Sequence, residues 1–261
     1  MAAWKAALMN STPVRKPYQG VLQILRFNWP FYLGAAMTIL AAMLALPFLH
    51  PIWRVAPLIA IAPAMFWLAA SLIVSHYVYD RSPLYDLNWI SRMLSRAPKK
   101  WVNIHSGFDE TSGLLAAIFP SADCQILNIY DPQTMTEGSI QKAQGRNDDA
   151  IPSVAARYDA LAFSADSFDA AFLIFAAHEL RHHEQRVKLF KEVARILVPG
   201  GDLVLVEHSR DFWNFVAFGP GFLHFFSQHA WRRAVFEAGL TLQSEFSMTR
   251  FVHVYNLRKA A

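Results

Sequence analysis

Between residues 101 and 258 the chain switches repeatedly between two hydrophobic periods. Residues 101–104, 125–130, 169–176 and 202–207 are short apolar runs bounded by polar residues, the signature of buried strands. Residues 111–119, 134–144 and 184–196 carry helical spacing, and 145–158 form a stretch of polar and small residues expected as a loop. A further helix is expected over 230–238, closed by Gly239, before two runs, 241–246 and 251–257, that can pair as a hairpin. The runs within 166–211 are apolar on both faces, as suits strands covered by helices on both sides. Alternating β and α units therefore predict an α/β fold. It is a doubly wound, Rossmann-like, mostly parallel sheet with an antiparallel terminal hairpin. Pro199-Gly200-Gly201 ends a helix and supplies a positive-φ position before a strand.

The first eighty residues follow another pattern. Residues 31–49 are free of charge, and a second uncharged run covers 55–78. A helix needs roughly 20 apolar residues to cross a bilayer, so two transmembrane helices are expected, against the alternative of a buried soluble hairpin. Trp29, Tyr32, Trp53, Tyr77 and Tyr79 near the run ends suit interfacial belts. Pro57 and Pro63 are expected to kink the second helix. The leader carries Lys5, Arg15, Lys16 and Arg26, the segment after the second run carries Arg81, Arg92, Arg96, Lys99 and Lys100, and the connecting loop has only Arg54. The positive-inside rule then places both ends in the cytoplasm. The expected organisation is a basic cytoplasmic leader (1–30), a transmembrane hairpin (31–79), an amphipathic connector (80–100) and a catalytic-looking domain (101–261). The connector, with Leu84, Leu87, Trp89, Ile90 and Met93, can lie along an anionic membrane surface or cover one face of the sheet.

Composition refines this picture only slightly. Apolar residues make up 54% of the 261 positions, an excess concentrated in the first eighty. A net charge of +4 suits a membrane-facing protein at least as well as a nucleic-acid binder, and no Lys/Arg stripe with interleaved aromatics points to nucleic acid. The single cysteine, Cys124, excludes an internal disulfide and a CxxC metal site.

Several segments carry a family likeness. Leu161-Ala162-Phe163, Asp166-Ser167-Phe168-Asp169 and Ala177-His178-Glu179-Leu180 resemble the middle of class I S-adenosylmethionine-dependent methyltransferases. The subgroup is the one typified by ubiquinone and menaquinone biosynthesis enzymes (methyltransferase type 11). Residues 190–207 are similar to that family's helix, turn and fifth strand, and Trp231 to Leu240 to its last helix. The resemblance covers about residues 100–258 and implies S-adenosylmethionine as cofactor. The family's first strand ends in an acid and a Gly-x-Gly-x-Gly turn. Here Asn103 stands at the acid, His105 at the first glycine and Asp109 at the third, and only Gly107 matches.

The cofactor-binding candidates that the resemblance implies are His105, Ser106, Gly107, Asp109, Asp131 and Asp159. Asp109 can instead cap the following helix, or it or Glu110 can hold the cofactor's ammonium group. Asp131 is the candidate for the ribose hydroxyls, with a turn-initiating Asp-Pro as its alternative. Asp159 neighbours Arg157, which aligns with the usual adenine contact. His178 and Glu179, after the fourth strand, are the catalytic candidates. A histidine near its free pKa can accept a proton from a phenol-like or amine nucleophile. Glu207 and His208 end the fifth strand, and all four can equally be scaffold. No HxxxH or HxH spacing supports a metal. His76 is expected as a packing or snorkelling side chain, and His182 and His183 as solvent-facing.

Residues 212–226, dense in Phe and Trp, have three competing uses: a lid over an apolar substrate, a surface dipping into the bilayer, or packing against the connector. The sequence therefore reads as an integral membrane methyltransferase acting on a lipophilic, bilayer-delivered small molecule. The alternative is an inactive methyltransferase-like binding or scaffold module at the membrane.

Overall fold

The computed structural model describes residues 15–144 and 152–260. The first fourteen residues of the basic leader and part of the expected 145–158 loop lie outside them.

The leader's described part forms helix α1 (Gln19–Phe27), whose start is capped from far along the chain. Asp80 Oδ1 accepts the Gly20 N–H (2.6 Å) and Oδ2 accepts that of Val21 (3.1 Å), while His76 Nδ1 lies 2.9 Å from Oδ2. His76 also stacks on Tyr18. Two long apolar helices follow, α2 (Trp29–Ala45) and α3 (Val55–His76), joined by short 3-10 turns. Pro57 sits in the first turn of α3, where a missing N–H costs nothing, and only Pro63 is interior. The Ser71 hydroxyl donates to the Leu68 carbonyl and accepts from Tyr32, which ties the two helices together.

The connector folds into tight turns that bury Leu84, Leu87 and Ile90 against the sheet. Full burial of such side chains contributes about 1.5–3 kcal/mol each. This holds the connector on the sheet face, in the second of its two expected positions. Asp202, buried on the sheet, latches it by accepting the Ser95 N–H (2.7 Å) and hydroxyl (2.6 Å) and pairing with Arg258.

The remainder is the expected mostly parallel sheet, with a seventh, two-residue strand in the stretch 145–158 that the sequence pattern reads as a loop. Its strands are β1 (Lys100–His105), β2 (Asp123–Asn128), β3 (Val154–Ala155), β4 (Phe168–Ile174), β5 (Leu197–His208), β6 (Leu240–Ser247) and β7 (Val252–Lys259). They run in the order β3-β2-β1-β4-β5-β7-β6, parallel through β5, with β7 antiparallel to both β5 and β6. Helices α4 (Ser112–Ile118), α5 (Gly138–Gln144), α6 (His183–Ile196), α7 (Phe212–Phe218) and α8 (Gln228–Glu237) complete the fold. Phe190, Val193 and Trp231 fill one face, and Leu115, Phe119 and the connector fill the other. Helix α6 ends at Ile196 and β5 begins at once, so the Pro199-Gly200-Gly201 turn lies inside the strand as an irregularity, with Gly200 at φ 72°. Helix α5 begins at Gly138, later than the sequence pattern suggests, because Asp131 folds residues 131–134 into a turn.

Candidate functional site

The carboxyl ends of β1, β4 and β5 converge, as open α/β sheets place their ligand sites. A cavity of about 730 Å³ opens there, within the usual range for small-molecule sites. Among the candidates, His105, Ser106, His178 and Glu179 line it.

The turn after β1 is built by residues that replace the family's glycines. The buried Asn103 amide donates to Ser112 Oγ (2.8 Å), Thr111 Oγ1 (3.1 Å) and Asp109 Oδ1 (3.3 Å). Asp109 Oδ1 also accepts the N–H groups of Thr111 and Ser112, both at 3.0 Å, so Asp109 caps α4, while its buried Oδ2 has no partner. Gly107 takes φ 106°, a conformation that favours glycine. Its N–H donates to His105 Nδ1 (3.1 Å), which fixes the tautomer and leaves His105 Nε2–H a buried donor without a partner. Burial pushes the His105 imidazole down, with Asp109 opposing, so it is neutral there. A positive-φ glycine flanked by an unpartnered donor and an unpartnered carboxylate oxygen fits a ligand carrying both an anionic and a cationic group. Glu110 is engaged otherwise, by Arg15 (3.0 Å), Gln19 and the Tyr85 hydroxyl, and holds the leader against the domain.

Asp131 and Asp159 lie elsewhere. Asp131 accepts the Gln133 N–H (2.9 Å) and the Thr134 hydroxyl (3.2 Å), the turn-forming alternative, and Asp159 forms a two-point pair with Arg157 at the surface. Neither lines the cavity.

Glu207, 1% exposed, is the hub of the polar residues at the ends of β4 and β5. Its Oε1 accepts the N–H groups of Ala177 (2.9 Å) and His178 (3.2 Å), and its Oε2 accepts from His178 Nδ1 (2.7 Å). His178 Nε2 stands 3.4 Å from Glu179 Oε1. Burial alone would depress the His178 imidazole, but Glu207 and Glu179 outweigh it and push it up to about 10. His208 is held down to about 4, chiefly by burial. Its Nδ1–H donates to the Phe251 carbonyl (2.8 Å), so its Nε2 accepts from the Tyr79 hydroxyl (2.7 Å), just past the C-terminal end of α3. Neither histidine therefore titrates near the ordinary value expected of a simple general base. His182 is exposed and caps α6, and His183 pairs with Glu237.

The aromatic stretch forms α7 and a 3-10 turn (Gly219–His224). It packs on α3, with Phe215 edge-on to Trp67 and Gly219 against the same indole. Phe218, His224 and Phe225 close the cavity, while Phe212, Trp213 and Leu223 remain exposed. The sequence pattern did not single out His224 or the leader's Phe27, which packs edge-on to Phe108 beside the β1 turn. A lone histidine within an aromatic run was the available signal for His224. The far wall of the cavity is made by Phe31, Tyr32, Trp67 and Leu68 of the apolar helices.

The fold defines the domain as an open α/β unit with its ligand site at the strand ends. A family model described as a methyltransferase domain matches residues 110–205. Among solved structures, a SAM-dependent methyltransferase from Methanosarcina mazei aligns at TM-score 0.50 and 16% identity, covering 66% of this chain and 97% of that one. The [4+2]-cyclase SpnF aligns at TM-score 0.50 and 14% identity, covering 68% and 80% respectively. At such identities the likeness shows the fold. No curated relative matches the sequence. Residues 110–205 thus match a methyltransferase domain within an α/β fold shared with such enzymes, and S-adenosylmethionine is the cofactor that this match implies.

Proposed function

We propose that the chain is a membrane-anchored S-adenosylmethionine-dependent methyltransferase whose acceptor is a lipophilic small molecule delivered from the bilayer. One observation carries the reading: a single cavity is walled on one side by His105, Ser106 and His178 and on the other by Phe31, Trp67 and Leu68 of the two apolar helices. The helices support it further. Their most apolar windows have mean hydropathies of 1.9 and 2.2, with 0% and 11% of residues buried, whereas a soluble core helix is mostly buried. The cation asymmetry favours the leader and the domain on the cytoplasmic side.

In this reading His105 Nε2–H, Ser106, the Gly107 backbone and Asp109 Oδ2 hold the methionine part of the cofactor, which supplies a methyl group activated by its sulfonium. The chain's own contribution is largely positioning. The aromatic cap and apolar helices exclude water and orient the acceptor. Glu179 offers a buried oxygen to the acceptor's O–H or N–H, and Glu207 fixes the His178 ring beside it.

The second reading, a binding module without transfer, is favoured by the remodelled turn in which Asn103 replaces an acid. Calorimetric titration of the full-length protein in detergent with S-adenosylmethionine and S-adenosylhomocysteine separates the two. The enzyme reading expects both to bind and expects His105→Phe to weaken them at least tenfold. Absence of binding by either would leave only the scaffold.

A further inference from the structure

We propose that His178, Glu179 and His224 form a binding site for a divalent first-row transition-metal cation in the wall of the cavity. One ligand atom from each of the three lies within 4.8 Å of the others. Two imidazoles and one carboxylate are the donor set of catalytic zinc and of non-haem iron sites that keep coordination positions open. The spacing of one pair fits such a site. His178 Nε2 and Glu179 Oε1 are 3.4 Å apart, long for a hydrogen bond between charged groups, which favours 2.7–2.9 Å. It is close to the edge of a tetrahedron with metal–ligand bonds of about 2.1 Å.

A second observation points to a ligand independently. Glu179 is 5% exposed and its Oε2 is buried without a hydrogen-bond partner, an arrangement that is costly unless something cationic or donating meets it. The surroundings supply the outer contacts such sites use. His178 gives its Nδ1–H to the buried Glu207, the carboxylate–histidine arrangement that orients a ligating imidazole. His224 Nδ1 lies 3.6 Å from Glu137 Oε1. The Arg181 guanidinium donates to the His178 carbonyl (3.0 Å) and the His224 carbonyl (2.7 Å), tying together the two backbone segments that carry the histidines.

The three residues come from the turn after β4 and from the aromatic cap, so no HxxxH or HxH spacing announces them. The remaining coordination positions would face the cavity and could take an oxygen of the acceptor. That last role rests on the proposed methyl transfer, whereas metal binding itself does not.

The test is metal binding by the untagged full-length protein in detergent after chelator treatment and dialysis. Co²⁺ serves as a spectroscopic probe, and Zn²⁺ and Mn²⁺ are quantified by elemental analysis. The expected result is one equivalent of Co²⁺ with a visible ligand-field band, displaced by Zn²⁺. Glu179→Gln and His224→Asn, each verified as folded by circular dichroism, should weaken binding at least 100-fold. Glu207→Gln should weaken it by about 10- to 100-fold. His183→Ala, at a half-buried histidine that pairs with Glu237 and does not line the cavity, should leave it unchanged. Less than a tenth of an equivalent of all three cations on folded wild-type protein would overturn the proposal. So would stoichiometric binding indifferent to Glu179→Gln and His224→Asn.

Discussion

Gly219 joins the aromatic cap to the second apolar helix, and replacing it with alanine tests whether that cap is part of the acceptor site. Its backbone, at φ 54° and ψ −136°, lies where only glycine is comfortable. An added Cβ would stand 2.6–2.9 Å from three ring atoms of Trp67. Held in place, Gly219→Ala would cost about 1–3 kcal/mol in backbone strain and a further ~1–3 kcal/mol in overpacking. The sheet core does not include this contact, so the cap should lift from α3 while the domain stays folded. Gly221→Ala is the internal control, because its Cβ would meet only Phe218 Cβ at 3.8 Å. Limited proteolysis should cut Gly219→Ala faster within 212–226. Transfer assays should show KM for a lipophilic acceptor raised at least tenfold with S-adenosylmethionine affinity unchanged. Gly219→Ala and Gly221→Ala behaving alike in both measurements would refute the placement of the cap.

Two further outcomes follow from other contacts. A Cβ on Gly20 would fall 2.3 Å from Tyr79 Cβ and 2.9 Å from Asp80 Oδ1. Gly20→Ala should therefore undock α1 at a cost of ~1–3 kcal/mol, read as faster proteolysis of the leader with little change in domain melting. His208, at about 4 in the folded state against about 6.5 unfolded, binds its proton more readily when unfolded. Its contribution is fully present above pH 6.5 and is lost as pH falls towards 4, by up to ~3 kcal/mol. Denaturant titrations at pH 7 and pH 5 should show a loss that His208→Gln reduces, and equal slopes in the two proteins would contradict it.

The sheet was legible where a strand is buried on both faces. The apolar runs 170–174 of β4 and 203–206 of β5 announce themselves, whereas β3 is two exposed residues with no pattern to read. The site was legible only in its residues, and much less in their partners. Asp109 and Asp131 showed as candidate acids, but their local caps and turns depend on which N–H groups the backbone leaves free. The Arg15–Glu110 and Tyr79–His208 contacts join positions far apart in sequence, so no local spacing encodes them. The connector's amphipathic pattern is the same whether its apolar side meets lipid or sheet, and only the packing of Leu84, Leu87 and Ile90 separates the two.

The most direct test of the account is methyl transfer by the full-length protein reconstituted in phospholipid vesicles doped with an apolar membrane extract. Methyl-labelled S-adenosylmethionine is supplied on the outside, and label is counted after solvent extraction. The account predicts label in the organic phase, reduced at least tenfold by His105→Phe and by Gly219→Ala but not by Gly221→Ala. Label confined to the aqueous phase, or to the protein itself, would contradict it.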